Sequence, residues 1–165
     1  KLQRTLVDAP ITHPPTTLVM AKKVVILCTS VDVVSGHATG AWSEEVTGAF
    51  YTFTGKGCEV TLASIKGGKV PVDAFSLGEG FKTENDTKFE TSGDVKMLEA
   101  STAASALSTD DLDCLFLAGG HGTVVDFPEG AADVVSKAYA AGKRPCMPPT
   151  GRSARAAGPV PPGRR

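Results

Sequence analysis

Apolar residues along this chain fall into short blocks separated by polar, glycine-rich stretches. Residues 24–28 form a continuous apolar run, which is typical of a strand buried on both faces of a sheet. Residues 59–65 and 112–117 are predicted to form a second and a third strand.

Between these strands the apolar residues take up helical spacing. Residues 41–53 place their aromatic and aliphatic side chains on one face, which predicts a helix. Helices are also predicted at 87–104 and 128–141, and polar loops at 29–39 and 67–81. Strands that alternate with helices predict an α/β fold with a parallel sheet and a functional crevice at the carboxyl ends of the strands.

The ends of the chain differ in composition from its middle. Residues 1–21 contain three prolines and no periodic pattern, so we expect a disordered leader there. Residues 22–146 are expected to form one partial α/β domain. Residues 147–165 combine Pro, Gly, Arg and Ala with few apolar residues, and we expect a disordered tail without function.

Composition excludes several classes of function. The chain is 41% hydrophobic and 21% charged with a net charge of −1, which gives no preference for nucleic acid. No apolar run reaches the roughly 18 residues of a membrane span, so no membrane partner is expected. The four cysteines lack metal-ligand spacing, and Cys28 and Cys114 are predicted to be small core residues. Thiols without a disulfide framework favour a cytoplasmic location.

The turn Gly119-Gly120-His121-Gly122 follows the third predicted strand. Glycines there let backbone N–H groups approach a reacting atom closely. A nucleotide-binding loop is the alternative, but it needs a helix that begins directly at the glycines. We expect residues such as Val124 to separate the turn from the next helix, which disfavours a nucleotide. His121 is either a base or a structural turn residue.

Two glutamates open the first predicted helix in the segment Trp42-Ser43-Glu44-Glu45. Acidic residues are common in a first turn because they complement the helix dipole, so a structural role is the alternative for each. By helical phase Glu45 lies near Trp42 and Ala49 on the apolar face, whereas Glu44 points away. A half-buried carboxyl there can hold or share a proton. Glu45 is therefore the candidate acid, and Trp42 is expected to line its pocket.

Four segments, in order along the chain, resemble the ThiJ/PfpI superfamily, a branch of the class I glutamine amidotransferase-like fold. They are Val-Val-Ile-Leu-x-Thr-Ser from residue 24, Thr-Gly-x-Trp-x-Glu-Glu from 39, Gly-Cys-Glu-Val-Thr-Leu-Ala-Ser from 57 and Asp-x-Leu-Phe-Leu-x-Gly-Gly-His-Gly-Thr from 113. The resemblance covers residues 22 to about 143. It is nearest to a branch that holds glutathione-independent glyoxalases (glyoxalase III, D-lactate dehydratase) and chaperone-like stress proteins.

The resemblance implies a flavodoxin-like doubly wound sheet and a nucleophilic Cys, followed by a His, on a strained strand-to-helix turn. It implies that Glu45 shares a proton with that Cys and that residues 119–122 supply backbone amides and shape the pocket. The implied substrate is a small 2-oxoaldehyde such as methylglyoxal, converted to a 2-hydroxy acid without a cofactor or metal. A homodimer is a further expectation.

This chain departs from the family where the nucleophile is expected. The family turn reads Ala-Val-Cys-His-Gly-Pro after the match to Gly142-Lys143, whereas here Cys146 comes early and is followed by Met147 and two prolines. Prolines rarely continue a central strand, so Cys146 is not the expected nucleophile. A shifted reading frame would explain the tail, because codons for residues 149–153 can be read out of frame as His-Gly-Pro-Val.

These observations together lead to one expectation and two alternatives. We expect a C-terminally truncated glyoxalase-type fold that is inactive as written, because the Cys-His pair is absent from the sequence. A stress-linked holdase chaperone and a non-functional fragment are the alternatives.

Overall fold

The computed structural model describes residues 20–147. The leader predicted for 1–21 and the tail predicted for 147–165 lie outside the described residues, apart from residues 20, 21 and 147. The strands are β1 Lys23–Cys28, β2 Val33–Val34, β3 His37–Ala38, β4 Glu59–Ser64, β5 Thr102–Ala103, β6 Cys114–Leu117 and β7 Arg144–Cys146. The α-helices are α1 Ser43–Thr54, α2 Glu84–Ser92, α3 Thr123–Gly130 and α4 Ala132–Ala140, and short 3₁₀ helices span Ala74–Leu77, Asp94–Leu98 and Ala104–Ala106.

Five of these strands form one parallel sheet in the order β5-β4-β1-β6-β7. From β1 the chain moves outward through β4 to β5, then crosses back to β6 and β7. This is the strand order around β1 of a flavodoxin-like doubly wound sheet, so the predicted fold class is confirmed. The reversal of order opens a crevice between the carboxyl ends of β1 and β6, where sheets of this kind bind their ligands.

Helices cover both faces of the sheet because side chains alternate along its central strand. Val25 and Leu27 of β1 belong to the core beneath α3 and α4. Ile26 and Cys28 belong to the core beneath α1 and α2, and Cys28 is fully buried, as predicted. Burial of a large aliphatic side chain contributes about 1.5–3 kcal/mol, so these two cores hold the crevice-forming strand rigidly.

The prediction of a single helix at residues 87–104 is wrong. Helix α2 begins at Glu84, because Thr83 and Asp86 form a capping box in which each accepts the other's backbone N–H. It ends at Gly93, whose left-handed φ of 87° stops a helix. A 3₁₀ turn and the short strand β5 follow, so the moderately helical sequence pattern continued past a glycine that ends the helix.

The helix predicted at 128–141 begins earlier and is divided in two. Helix α3 begins at Thr123, directly after Gly122, and Pro128 lies inside it. The chain bends at Ala131, and α4 then runs to Ala140. The expectation that Val124 separates the glycine turn from the next helix is therefore wrong. Proline favours the first turn of a helix, and that preference misled the prediction.

The predicted loop at 29–39 contains a small hairpin, β2–β3. Its turn residues Ser35 and Gly36 have φ values of 51° and 80°, the positive angles that two-residue hairpin turns favour. The hairpin leaves β1 at the carboxyl edge of the sheet and so forms part of the rim of the crevice.

Strand β7 pairs in parallel with β6, and Pro145 lies opposite Leu115. Within residues 20–147 this strand is an edge of the sheet, where proline is tolerated. Cys114 was predicted to be a core residue but is only half-buried, because it lies on the strand next to that edge. In the same described range no helix has the length and apolar content needed to cross a membrane.

Candidate active site

The turn after β6 contacts the start of α1 across the crevice. The Gly119 N–H donates to Glu45 Oε2 at 2.5 Å, and the Trp42 N–H donates to the Gly119 carbonyl at 2.9 Å. The two bonds fix the carboxylate of Glu45 at the β1/β6 switch point. The structure thus brings together the glutamate and the glycine turn that the sequence placed 74 residues apart.

The glycines of this turn are required by close approach. A Cβ on Gly119 would lie 2.5 Å from Glu45 Oε2, and one on Gly120 would lie 2.2 Å from the Gly40 carbonyl oxygen. Gly120 also has a φ of 135°, a conformation that other residues rarely adopt. Gly122 approaches Thr29 Oγ1 in the same way, at 2.6 Å from its own hypothetical Cβ. The turn therefore packs tightly against the ends of both neighbouring segments.

The two adjacent glutamates of α1 face different surroundings. Glu45 reaches the glycine turn, whereas the Glu44 carboxylate lies over Gly48 on the side of α2. Burial, followed by the charges of Asp86 and Glu45, raises the pKa of Glu44. The helical phase that separated the two residues in the sequence agrees with this arrangement, while the chemical role of Glu45 stays a prediction.

A second carboxylate supports the rim of the crevice. Asp73 accepts from the Thr39 hydroxyl at 3.0 Å and from the Phe75 N–H at 2.9 Å. His121 Nδ1 lies 3.7 Å from Asp73 Oδ2, and its side chain is 77% exposed. The imidazole thus points outward beside Asp73, where it can form an ion pair when protonated.

Three aromatic side chains form a wall beside the start of α1. Trp42 contacts Phe75 and Phe81 edge-on, with ring centroids 6.4 Å and 5.6 Å apart, and the two phenylalanine rings lie 4.9 Å from each other. Phe75 is 65% exposed and Phe81 43% exposed. Trp42 was predicted to line the pocket; the structure places its ring in this aromatic wall, and its contact with a ligand stays a prediction.

Asp126 of α3 is a site residue that sequence reasoning missed. It accepts from the Thr29 hydroxyl at 2.9 Å and from the Ser30 N–H at 2.7 Å, so it joins α3 to the end of β1. Burial raises its pKa, although the bonds from Ser30 and Thr29 oppose that shift. The signal was an acidic residue in a first helical turn, which becomes visible only when α3 is known to begin at Thr123.

The structure does not bring Cys146 to the glycine turn. Its sulfur lies 3.0 Å from that of Cys114, at the opposite end of β6 from Gly119. Five residues of strand separate Cys114 from Gly119 by about 16 Å. Burial, followed by the charge of Asp126, raises the pKa of Cys28 to about 12, so the Cys28 thiol supplies no thiolate near neutral pH.

No cluster of three or more His, Cys, Asp or Glu side chains suited to a metal ion occurs in the described range 20–147. At the crevice, the carboxyl groups of Glu45 and Asp126 and the backbone amides of the glycine turn can offer acid–base and hydrogen-bonding chemistry.

This chain is similar to curated yeast proteins that are named as glutathione-independent glyoxalases. It is 33% identical over 129 residues to glutathione-independent glyoxalase HSP31 of Saccharomyces cerevisiae, covering 73% of this chain and 54% of the relative. It is 32% identical over 112 residues to the probable glutathione-independent glyoxalase SNO4 of the same yeast, covering 65% and 47%. The chain thus spans about half the length of the curated relatives it matches. No protein-family model matches it.

Solved structures agree with these relatives. The Francisella tularensis Rapid Encystment Protein 24 KDa superposes with a TM-score of 0.73 at 29% identity, covering 82% of this chain and 60% of that one. Glyoxalase III of Candida albicans superposes with a TM-score of 0.67 at 28% identity, covering 76% and 56%. Each of these two structures covers more than three quarters of this chain, and their likeness agrees with the α/β fold described above.

Proposed function

Because the chain belongs to the ThiJ/PfpI superfamily, we propose that its described residues form the acid and backbone-amide half of a glyoxalase-type site. The ligand is a small 2-oxoaldehyde such as methylglyoxal, and the product class is a 2-hydroxy acid. The observation that carries the proposal is the hydrogen bond between Glu45 and the Gly119 N–H across the switch point. The yeast and Candida relatives named as glyoxalases support the substrate class.

Glu45 has the position needed to hold and move a proton between two adjacent carbons of such a ligand. Its carboxylate accepts from the Gly119 N–H at one oxygen and lies in the first turn of α1. The turn after β6 leads directly into α3. The first amides of α3 donate to the carbonyls of residues 120–122, so the amides of residues 120–122 themselves are the ones we propose to stabilise the oxyanion that forms when the ligand carbonyl reacts.

We further propose that the chain as written binds such a ligand without turning it over. Each of its four cysteines is followed by a residue other than histidine. The carbonyl chemistry of the family needs a thiolate nucleophile at the crevice. Cys28 is buried, and Cys146 contacts Cys114 rather than the glycine turn.

Binding can be measured through Trp42, the only tryptophan in the chain. Hydroxyacetone, which has the carbon skeleton of methylglyoxal but no aldehyde, is expected to change Trp42 fluorescence. Glu45→Gln should weaken this binding by about tenfold, the worth of one charge-assisted hydrogen bond. Glu44→Gln is the matched control and should bind normally. Equal losses in both variants would contradict the assignment of Glu45.

Turnover separates the two parts of the proposal. The chain as written should convert no methylglyoxal to lactate above a Cys146→Ala control, and activity above that control would make Cys146 the nucleophile. A chimera that continues after Lys143 with the corresponding C-terminal part of yeast HSP31 should be active. In that chimera Glu45→Gln should abolish turnover and Glu44→Gln should not.

A holdase that binds apolar segments is the second candidate function. The observation in its favour is the exposure of Phe75, Phe81, Val124 and Val125, which are 43–65% accessible. Suppression of aggregation of a heat-denatured client would support this function. Phe75→Ser should then reduce the suppression, while Glu45→Gln should leave it unchanged.

A further inference from the structure

Two cysteines meet on the last pair of strands, away from the crevice. Cys114 begins β6 and Cys146 ends β7, and their sulfur atoms lie 3.0 Å apart. Both side chains are half-buried and both are free thiols. The proposed function uses neither of them.

The strand register explains why the two side chains meet. Cys146 lies opposite Phe116 in the parallel ladder, and Phe116 follows Cys114 by two residues. Positions two apart in a strand point to the same face, so both thiols project from one side of the sheet. A disulfide needs a sulfur–sulfur distance near 2.05 Å, so the two atoms must approach by about 1 Å more.

The thiols also differ in acidity. A hydrogen bond from Cys114 lowers the pKa of Cys146, and the same bond, together with burial, raises the pKa of Cys114. The thiolate is the reactive form of cysteine, so Cys146 is the more nucleophilic member near neutral pH. Cys114, beside it, is placed to act as the resolving thiol.

We propose that Cys114 and Cys146 form a peroxide-sensitive dithiol that closes to a disulfide between β6 and β7. The Cys146 thiolate attacks one oxygen of hydrogen peroxide, the O–O bond breaks and, after protonation, water leaves, which gives a sulfenic acid. The Cys114 sulfur then attacks the Cys146 sulfur, and the hydroxyl group departs with a proton as a second water. The pair loses two electrons and the peroxide gains them.

The bond would tie β7 covalently to the sheet. This strand has three residues, one of them Pro145, which donates no ladder hydrogen bond. A disulfide spanning 32 residues would hold β7 and the α3–α4 segment as a closed loop. Oxidation would thus fix an edge that is otherwise held by few backbone bonds.

The test treats the purified 165-residue chain with hydrogen peroxide and then counts thiols by alkylation in denaturant. Of the four thiols, two should be lost, and dithiothreitol should restore them. Tryptic mass spectrometry should link peptide 97–137 to peptide 144–152. Cys58→Ser is the matched control, and it should still lose two thiols and form the same link.

The variants of the pair itself should behave differently. Cys146→Ser should lose thiols about tenfold more slowly, because the member of the pair with the lowered pKa has been removed. Cys114→Ser should leave Cys146 to oxidise further to the sulfinic acid, which adds about 32 mass units and resists dithiothreitol. A link between Cys58 and Cys114, links only between chains, or thiol loss that is unchanged in Cys146→Ser would each overturn the proposal.

Discussion

Two aspartates connect helices to the rest of the molecule, and they do so with opposite electrostatic results. Asp86 of α2 accepts from the Ser43 and Thr47 hydroxyls of α1 and from both the hydroxyl and the N–H of Thr83. Asp126 of α3 joins the end of β1 at the crevice through one hydroxyl and one N–H there. The first is a clamp between helices, and the second is a link at the candidate site.

The number of donors explains the difference in acidity. Burial acts to raise the pKa of Asp86, but the bonds from Ser43, Thr83 and Thr47 outweigh it and the net shift is downward. For Asp126 burial prevails over the fewer bonds, and the net shift is upward. A buried carboxylate that accepts from many donors is stabilised in its charged form, whereas one that accepts from fewer donors has a raised pKa.

The largest effect is expected on the crevice side, from Gly120→Ala. Its Cβ would meet the Gly40 carbonyl oxygen at 2.2 Å, at a φ of 135° that alanine rarely adopts. Backbone must shift on both sides of the contact, so the free energy of unfolding should fall by about 4 kcal/mol. Urea denaturation measures this loss.

The control for Gly120 is Gly142→Ala. Gly142 also has a positive φ, 76°, but nothing lies within 4 Å of its hypothetical Cβ. A loss of about 1 kcal/mol is expected there, from backbone conformation alone. Equal losses at the two glycines would show that close approach at the crevice does not matter.

On the clamp side, Asp86→Ala should cost about 3 kcal/mol in urea denaturation. The change removes a capping box and leaves the buried Ser43 and Thr47 hydroxyls without their acceptor. Asp133→Ala is the control, because Asp133 is 71% exposed and makes only a surface pair with Lys137. That variant should change stability by less than about 0.5 kcal/mol. A small loss at Asp86 would mean that the clamp does not hold α1 and α2 together.

Gly119→Ala should have a smaller effect on stability but a clear effect on ligand binding. Gly119→Ala would place a Cβ 2.5 Å from Glu45 Oε2, the movable end of a side chain. The cost in stability should be about 1 kcal/mol, yet hydroxyacetone binding should weaken as much as in Glu45→Gln. Normal binding in Gly119→Ala would show that the position of the Glu45 carboxylate is not limiting, and would count against the proposed function.

Sequence reasoning succeeded where the local pattern carries the information. Strand β1 was predicted within one residue because its five buried residues form a continuous apolar run. Strand β4, which is buried only over its last three residues, was also predicted within one residue. The helical phase that distinguishes Glu45 from Glu44 agrees with the hydrogen bond between Glu45 and Gly119, while the catalytic role of Glu45 stays a prediction. The resemblance to a known family supplied the strand order, which no local pattern contains.

The failures were at positions decided by contacts distant in sequence. Asp126 and Thr29 are 97 residues apart, and neither residue alone indicates a link. Strand β5 has two residues and is defined by pairing with β4, so its sequence had no strand pattern. The start of α3 was missed because Val124 and Val125 are both 55% exposed and break the apolar pattern expected of a helix.

The smallest effect is expected on the unfolding free energy at acidic pH, where Asp86 and Asp126 should act in opposite directions. The usual pKa of the group is 3.8, and that of Asp86 is lower in the folded chain. Its contribution is therefore complete only about one pH unit or more above 3.8, and it is lost as the pH falls from there through the folded pKa, because the unfolded chain takes up the proton first. Asp86→Asn should remove this contribution to the unfolding free energy that is lost at acidic pH.

Asp126 has the reverse sign. Its folded pKa lies above 3.8, so the folded chain takes up the proton first and gains stability as the pH falls through that value. Asp126→Asn removes this gain, and its unfolding free energy relative to pH 7 should decline at a higher pH than that of the wild type. Urea denaturation between pH 7 and pH 3 measures both slopes. The two variants should shift the acidic decline of the unfolding free energy in opposite directions. A shift in the same direction would show that the number of hydrogen-bond donors does not explain the different pKa shifts of Asp86 and Asp126.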